Sequence, residues 1–180
     1  MKKIAYFALI GMFVLALSDA ATAQTDALIE KGTQEIGLSG MIDFDGPEGG
    51  VDVDISASYG MFYFNDFQEI GAFASWSRES DGDVNRIALG AFLEHHLPYQ
   101  SHLYPYVGSD LGILFADIDT GDDEVTILIE PRVGVKWFLR NYVAIDTNLF
   151  LSWATDDIYV NDGDLEQWDA GLKMGLRVYF

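Results

Sequence analysis

Nine ionisable residues have types and spacings that could support joint chemistry: Glu94, Asp110, Glu130, Arg132, Lys136, Asp146, Asp169, Lys173 and Arg177. Glu130, Arg132 and Lys136 are separated by even numbers of residues, and so are Asp169, Lys173 and Arg177. In an extended strand, residues at even separations point to the same side. Acids and bases placed this way on several strands would project into one space. Two outcomes are open for such a set. The charges can pair and plug the space, because buried charges must be compensated, or they can line a pathway for ions.

His95, His96 and His102 also stand close together. Imidazoles at such spacing can ligate zinc, and a His beside Ser and an acid can serve hydrolysis when the three converge. No HxSxG-like arrangement accompanies them, and no further ligand set is evident. The expectation is therefore three solvated histidines at a turn, with no catalytic residue, no metal and no cofactor. The acidic stretches DTGDDE and DDIYVNDGDLE offer oxygen ligands but lack the EF-hand spacing. They read as solvated loops, with weak bridging of cations to lipopolysaccharide headgroups left open.

The elements that must carry these residues follow from a persistent period of two. Eight segments show it, at 33–44, 51–64, 68–77, 84–96, 103–115, 124–139, 142–154 and 166–180. On the last, Trp168, Ala170, Leu172, Met174, Leu176, Val178 and Phe180 oppose Asp169, Gly171, Lys173, Gly175, Arg177 and Tyr179. On the sixth, Val125, Ile127, Ile129, Val133, Val135, Trp137 and Leu139 oppose Glu130, Arg132, Gly134 and Lys136. Such segments are longer than ordinary globular strands and match tilted strands crossing a bilayer. Glycine is concentrated on the polar side, which suits a cramped interior. The prediction is an all-β, eight-stranded antiparallel up-and-down transmembrane barrel, greasy side to lipid and ionic side enclosed.

The connections alternate between short turns (65–67, 97–102 and 140–141) and longer loops (45–50, 78–83, 116–123 and 155–165) that hold most of the free acid. With a periplasmic N-terminus, the short turns fall in the periplasm and the loops outside. Trp76, Trp153 and Trp168 would then mark the outer rim, and Tyr63, Trp137 and Phe180 the inner one.

Residues 1–23 read as a cleaved signal peptide: Lys2 and Lys3, an apolar run from Ile4 to Leu17, and Ala21-Thr22-Ala23 as the cleavage site. Residues 24–180 form the barrel domain. Losing Lys2, Lys3 and Asp19 takes the formal charge from −19 to −20, which argues against nucleic acid as a ligand. The chain has no cysteine and hence no disulfide or thiolate chemistry. Hydrophobic residues make up 49% of it, yet no later stretch reaches helical spanning length. Only a closed barrel otherwise satisfies every backbone group in lipid.

Four stretches carry a resemblance: MFYFNDFQEIG (Met61 to Gly71), LYPYVGSDLGILF (Leu103 to Phe115), GVKWFLRNYVAIDTNLFLSW (Gly134 to Trp153) and GLRVYF (Gly175 to Phe180). They resemble the small eight-stranded outer-membrane β-barrel family, which includes the OmpA transmembrane domain, OmpX-like and OmpW-like proteins and opacity-type surface antigens. The resemblance implies residence in a Gram-negative outer membrane and a structural or surface-interacting role, with a narrow OmpW-like channel for small solutes or ions as the alternative and a lipid-modifying enzyme as a third reading. It implies outer-membrane lipid, lipopolysaccharide and the outer-membrane assembly machinery as partners, a monomeric state, and Phe180 as the terminal assembly signal. No peptidoglycan-binding domain is expected, since the chain stops at the last strand.

Overall fold

Alternation at every second residue leaves each strand with one face that lipid accepts and one that it rejects, and closure into a ring hides the second. In a computed structural model, residues 29–43, 52–79, 84–97, 102–118, 122–161 and 164–180 are described. The strands are β1 (Gln34–Asp43), β2 (Asp52–Asn65), β3 (Gln68–Glu79), β4 (Val84–His96), β5 (Leu103–Ile118), β6 (Asp122–Arg140), β7 (Val143–Ala154), β8 (Tyr159–Asn161), β9 (Asp164–Glu166) and β10 (Trp168–Tyr179). Eight of them close into a barrel in the order β1-β10-β7-β6-β5-β4-β3-β2, every neighbour antiparallel. Strands β8 and β9 form a separate hairpin. No helix occurs among the described residues. Residues 1–23, expected as a signal peptide, lie outside the described residues, as do the tips of the acidic loops and most of the turn before His102.

The barrel is inside out relative to a water-soluble core. Its exposed large side chains include Leu38, Leu111, Val125, Leu172 (47% exposed) and Met174 (56%), whereas Lys136, Asp146, Glu35 and Glu69 are fully buried. Closure comes from the termini: Gln34 and Phe180 exchange backbone hydrogen bonds of 2.9 and 3.0 Å. Both therefore lie at the end that carries the short turns. Trp137, Tyr63 and Phe180 are exposed at this end, while Trp153 and Trp168 face each other across the β7–β10 seam at the loop end.

Several boundaries differ from the sequence reading: β3 runs on to Glu79, β5 runs on to Ile118 and β6 begins at Asp122, so these strands continue into segments expected as loops. Two further differences have a visible cause. Glu166 belongs to the hairpin, not to the last barrel strand, because Ala154 N donates to Gln167 O (2.7 Å) and Ile158 N to Glu166 O (3.1 Å), which turns the chain before Trp168. The tight turn expected at Arg140-Asn141 falls one residue later, at Asn141-Tyr142, because a register shift between Phe138 and Arg140 keeps Arg140 in β6. The β6–β7 ladder also skips Glu130 and Pro131, then resumes in the same register; proline has no N–H to donate.

Apolar side chains fill the lumen at both ends. At the terminal end Ile29, Phe62, Tyr104, Phe138, Ala144 and Tyr179 form one cluster. Gly32, with φ of 97°, bends the chain ahead of β1 and donates to Phe62 O at 2.8 Å, a backbone conformation that glycine adopts without penalty. Ile29 is thereby folded in, fully buried. At the loop end Phe73, Val84, Leu114 and Leu128 pack with Ile158 and Tyr159, so the β7–β10 connection turns back into the barrel mouth.

Candidate functional site

Between the two apolar clusters lies a belt of charge. Its centre is Lys136 on β6, whose Nζ reaches Glu35 Oε2 on β1 at 2.6 Å, Glu94 Oε2 on β4 at 2.8 Å and Glu69 Oε2 on β3 at 3.0 Å. All four side chains have no solvent exposure. A lysine on one wall thus gathers carboxylates from three other strands, including the opposite side of the ring. Its ammonium also lies 5.3 Å from the Tyr106 ring and 5.9 Å from that of Tyr179, where the aromatic faces add attraction for the cation.

Two arginines extend the belt. Arg177 on β10 reaches Asp146 Oδ2 through Nε (3.0 Å) and Nη2 (2.5 Å), and its Nη1 donates to Glu35 Oε1 (3.1 Å) and Ser58 Oγ (2.7 Å). Tyr106 donates to Asp146 Oδ1 at 2.9 Å. Arg132 on β6 donates to Glu94 Oε1 (2.7 Å) and Asp110 Oδ2 (2.5 Å), and its guanidinium lies 5.4 Å from the centre of the Phe92 ring. Lys173 and Glu130 pair separately, nearer the loop end, at 2.9 and 3.1 Å. Ser152 also donates to Glu130, and Lys173 sits 4.2 Å over the Phe150 ring.

Glycines leave the room this belt requires. A Cβ on Gly37 would collide with the Arg177 guanidinium, and one on Gly60 with the Glu69 carboxylate. The inward glycines are therefore where ionic heads lie flat against bare backbone.

Eight of the nine ionisable residues singled out in the sequence lie within these contacts. Asp169 stands apart, half-buried at the loop end of β10 opposite Ser152, where it accepts from Ala170 N at 2.7 Å. Glu35, Glu69, Ser58 and Tyr106 join the belt without having been singled out from the sequence. Glu35 stands two residues before the inward Gly37, and Glu69 two before Gly71, so parity alone places both inside. The expectation of three solvated turn histidines is corrected at His96. Two residues beyond inward Glu94, it is fully buried in the lumen, with Nε2 3.2 Å from Glu69 Oε2 and from Glu94 Oε2, while His95 and His102 are exposed.

The hairpin is held at the mouth by polar contacts. Arg86 Nη1 on β4 donates to Ile158 O at 2.9 Å and its Nε to Ser77 Oγ at 3.2 Å; the guanidinium lies 5.0 Å from the Tyr159 ring centre. Thr126 and Thr155 share a 2.6 Å hydroxyl contact. Burial pushes the Tyr159 phenol above its ordinary value, so the hydroxyl stays protonated under the cation.

A closed antiparallel ring of eight strands, lipophilic outside and ionic within, defines a small membrane β-barrel. Its fold is that of the eight-stranded outer-membrane barrels. The N-terminal barrel domain of OprF from Pseudomonas aeruginosa superposes with a TM-score of 0.63 at 13% identity, covering 84% of this chain and 99% of that one. Neisserial surface protein A gives 0.54 at 19% identity, covering 82% and 96%. The outer membrane protein OprG from Pseudomonas aeruginosa gives 0.51 at 11% identity, covering 86% and 99%. No protein-family model and no curated protein matches the sequence.

Proposed function

We propose that the protein is an integral barrel of a Gram-negative outer membrane with a sealed lumen, serving as a structural or surface-interacting element rather than as an enzyme or pore. The observation that carries this is Lys136 held by three fully buried carboxylates from three other strands, with an apolar cluster at either end of the barrel. An ion crossing the lumen would have to break charge-assisted hydrogen bonds in a site from which water is excluded, and such bonds are the strong ones. In this reading residues 1–23 direct export, the short-turn end faces the periplasm, and the acidic loops meet the outside. Lipid and lipopolysaccharide surround the apolar wall, and the barrel is monomeric. Phe180, 61% exposed beside the closing seam, presents the terminal ring to the assembly machinery. Phe180→Ala keeps the backbone closure, so it should lower the amount assembled in cells while leaving folding into micelles unchanged.

The test of sealing is conductance. In planar bilayers the mature protein should give no steady openings. Steady openings that Lys136→Glu abolishes would reject this reading and establish the narrow channel, the alternative that the belt residues also suggest.

A further inference from the structure

The belt's composition poses a question that sealing does not answer. Five carboxylates (Glu35, Glu69, Glu94, Asp110 and Asp146) meet only three permanent cations, Arg132, Lys136 and Arg177. Uncompensated charge in a dry interior is strongly unfavourable. The excess is two negative charges, which either two protons or one divalent cation would cancel.

The geometry points to the cation: we propose that Glu69, Glu94 and His96 form a binding site for one divalent transition-metal ion of the zinc class. One potential ligand atom from each of the three residues lies within 4.8 Å of the other two, and all three residues are buried. The imidazole nitrogen is 3.2 Å from each carboxylate oxygen. A tetrahedral ion with bonds of about 2.0–2.1 Å to nitrogen and oxygen has ligand–ligand edges of about 3.3–3.4 Å, so the two imidazole–carboxylate edges already match and only the carboxylate–carboxylate edge would have to adjust. Glu94 Oε2 is buried and makes an ion pair with Lys136 but no well-formed hydrogen bond, which leaves coordinating capacity directed at the imidazole. One imidazole with two carboxylates favours zinc, cobalt or nickel over the all-oxygen preference of magnesium and calcium.

Lys136 does not exclude the ion. Each ionised carboxylate offers about four lone-pair positions, and Glu35 Oε2, at 2.6 Å, is the shortest of the ammonium's carboxylate contacts. With the metal bound, five negative and five positive charges meet in the belt. Three ligands leave a fourth position for water or a shift of Glu35. Because the terminal-end cluster closes over the site, the ion enters while the strands assemble and exchanges slowly afterwards.

The experiment refolds the purified mature chain into detergent micelles with Zn²⁺ or Co²⁺, dialyses against EDTA, and measures metal per chain. About one equivalent should survive chelation in the wild type and in Glu130→Gln, and be lost from His96→Gln and Glu94→Gln. Metal that His96→Gln retains in full would reveal adventitious binding at the acidic loops and overturn the proposal, as would a wild type that keeps none. Should the belt variants fail to fold, the wild-type cobalt spectrum decides. Intense four-coordinate bands with a nitrogen ligand support the site, whereas a weak six-oxygen spectrum rejects it.

Discussion

Lys136 and Lys173 differ in what surrounds them, and the difference sets the cost of losing each. Lys136 is the shared partner of three fully buried carboxylates, whereas Lys173 and Glu130 form a pair served otherwise by Ser152. Removing one partner of a buried ion pair costs about 3–5 kcal/mol, while replacing both by apolar groups of similar volume is often neutral. Lys136→Met should therefore lower stability by at least about 3 kcal/mol, with no single second substitution restoring it. Lys173→Met should be largely rescued by Glu130→Met. Urea unfolding in micelles, followed by tryptophan fluorescence, measures both, and full rescue of Lys136→Met by one compensating change would contradict the network. Most of the belt was legible because parity on a strand is a geometric rule, and Arg132, Lys136 and Arg177 declare themselves among apolar neighbours. Glu35 and Glu69 were not, because each is the second residue of its strand, where a single acid reads equally well as solvated. His96 was hidden by His95 beside it, since adjacent histidines look like a polar turn until strand parity separates them.

At the level of the elements, the eight barrel strands were readable and the β8–β9 hairpin was not. Each barrel strand carries ten or more residues of alternation, but the hairpin strands have three residues each, too few for a period to show. What places the hairpin is a set of long-range contacts: Arg86 with Ile158 O, Thr126 with Thr155, and the burial of Ile158 and Tyr159 among lumen residues. The barrel wall does not depend on these contacts, because its backbone bonds run between adjacent strands. Arg86→Ala should therefore release the loop without melting the barrel. Limited proteolysis should cut within residues 155–167 faster in Arg86→Ala than in the wild type, while the unfolding free energy falls by no more than about 1.5–3 kcal/mol, the range for one hydrogen bond to a charged group. Unchanged proteolysis would mean that apolar packing alone keeps the loop seated.

For the whole molecule, pattern specifies the fold more strongly than residue identity does. Barrels only 11–19% identical to this chain superpose over more than four-fifths of it, because lipid asks only for an apolar exterior and complete backbone pairing. Pairing is complete around the ring: the β1–β10 seam joins the first and last barrel strands, so no edge is left from which unfolding could begin. Detergent can coat Leu38, Leu111, Leu172 and Met174 without entering the lumen, since those side chains already face outward. The belt they enclose is held by charge-assisted hydrogen bonds screened from water, which dodecyl sulfate at room temperature reaches only after strands separate. The barrel extracted from membranes should consequently stay folded in unheated electrophoresis samples and run at a different position after boiling. Lys136→Met should shift that conversion to a lower temperature, and Arg86→Ala should leave it nearly unchanged. A chain recovered freely soluble without detergent, or one whose mobility ignores boiling, would mean that the apolar wall does not face lipid.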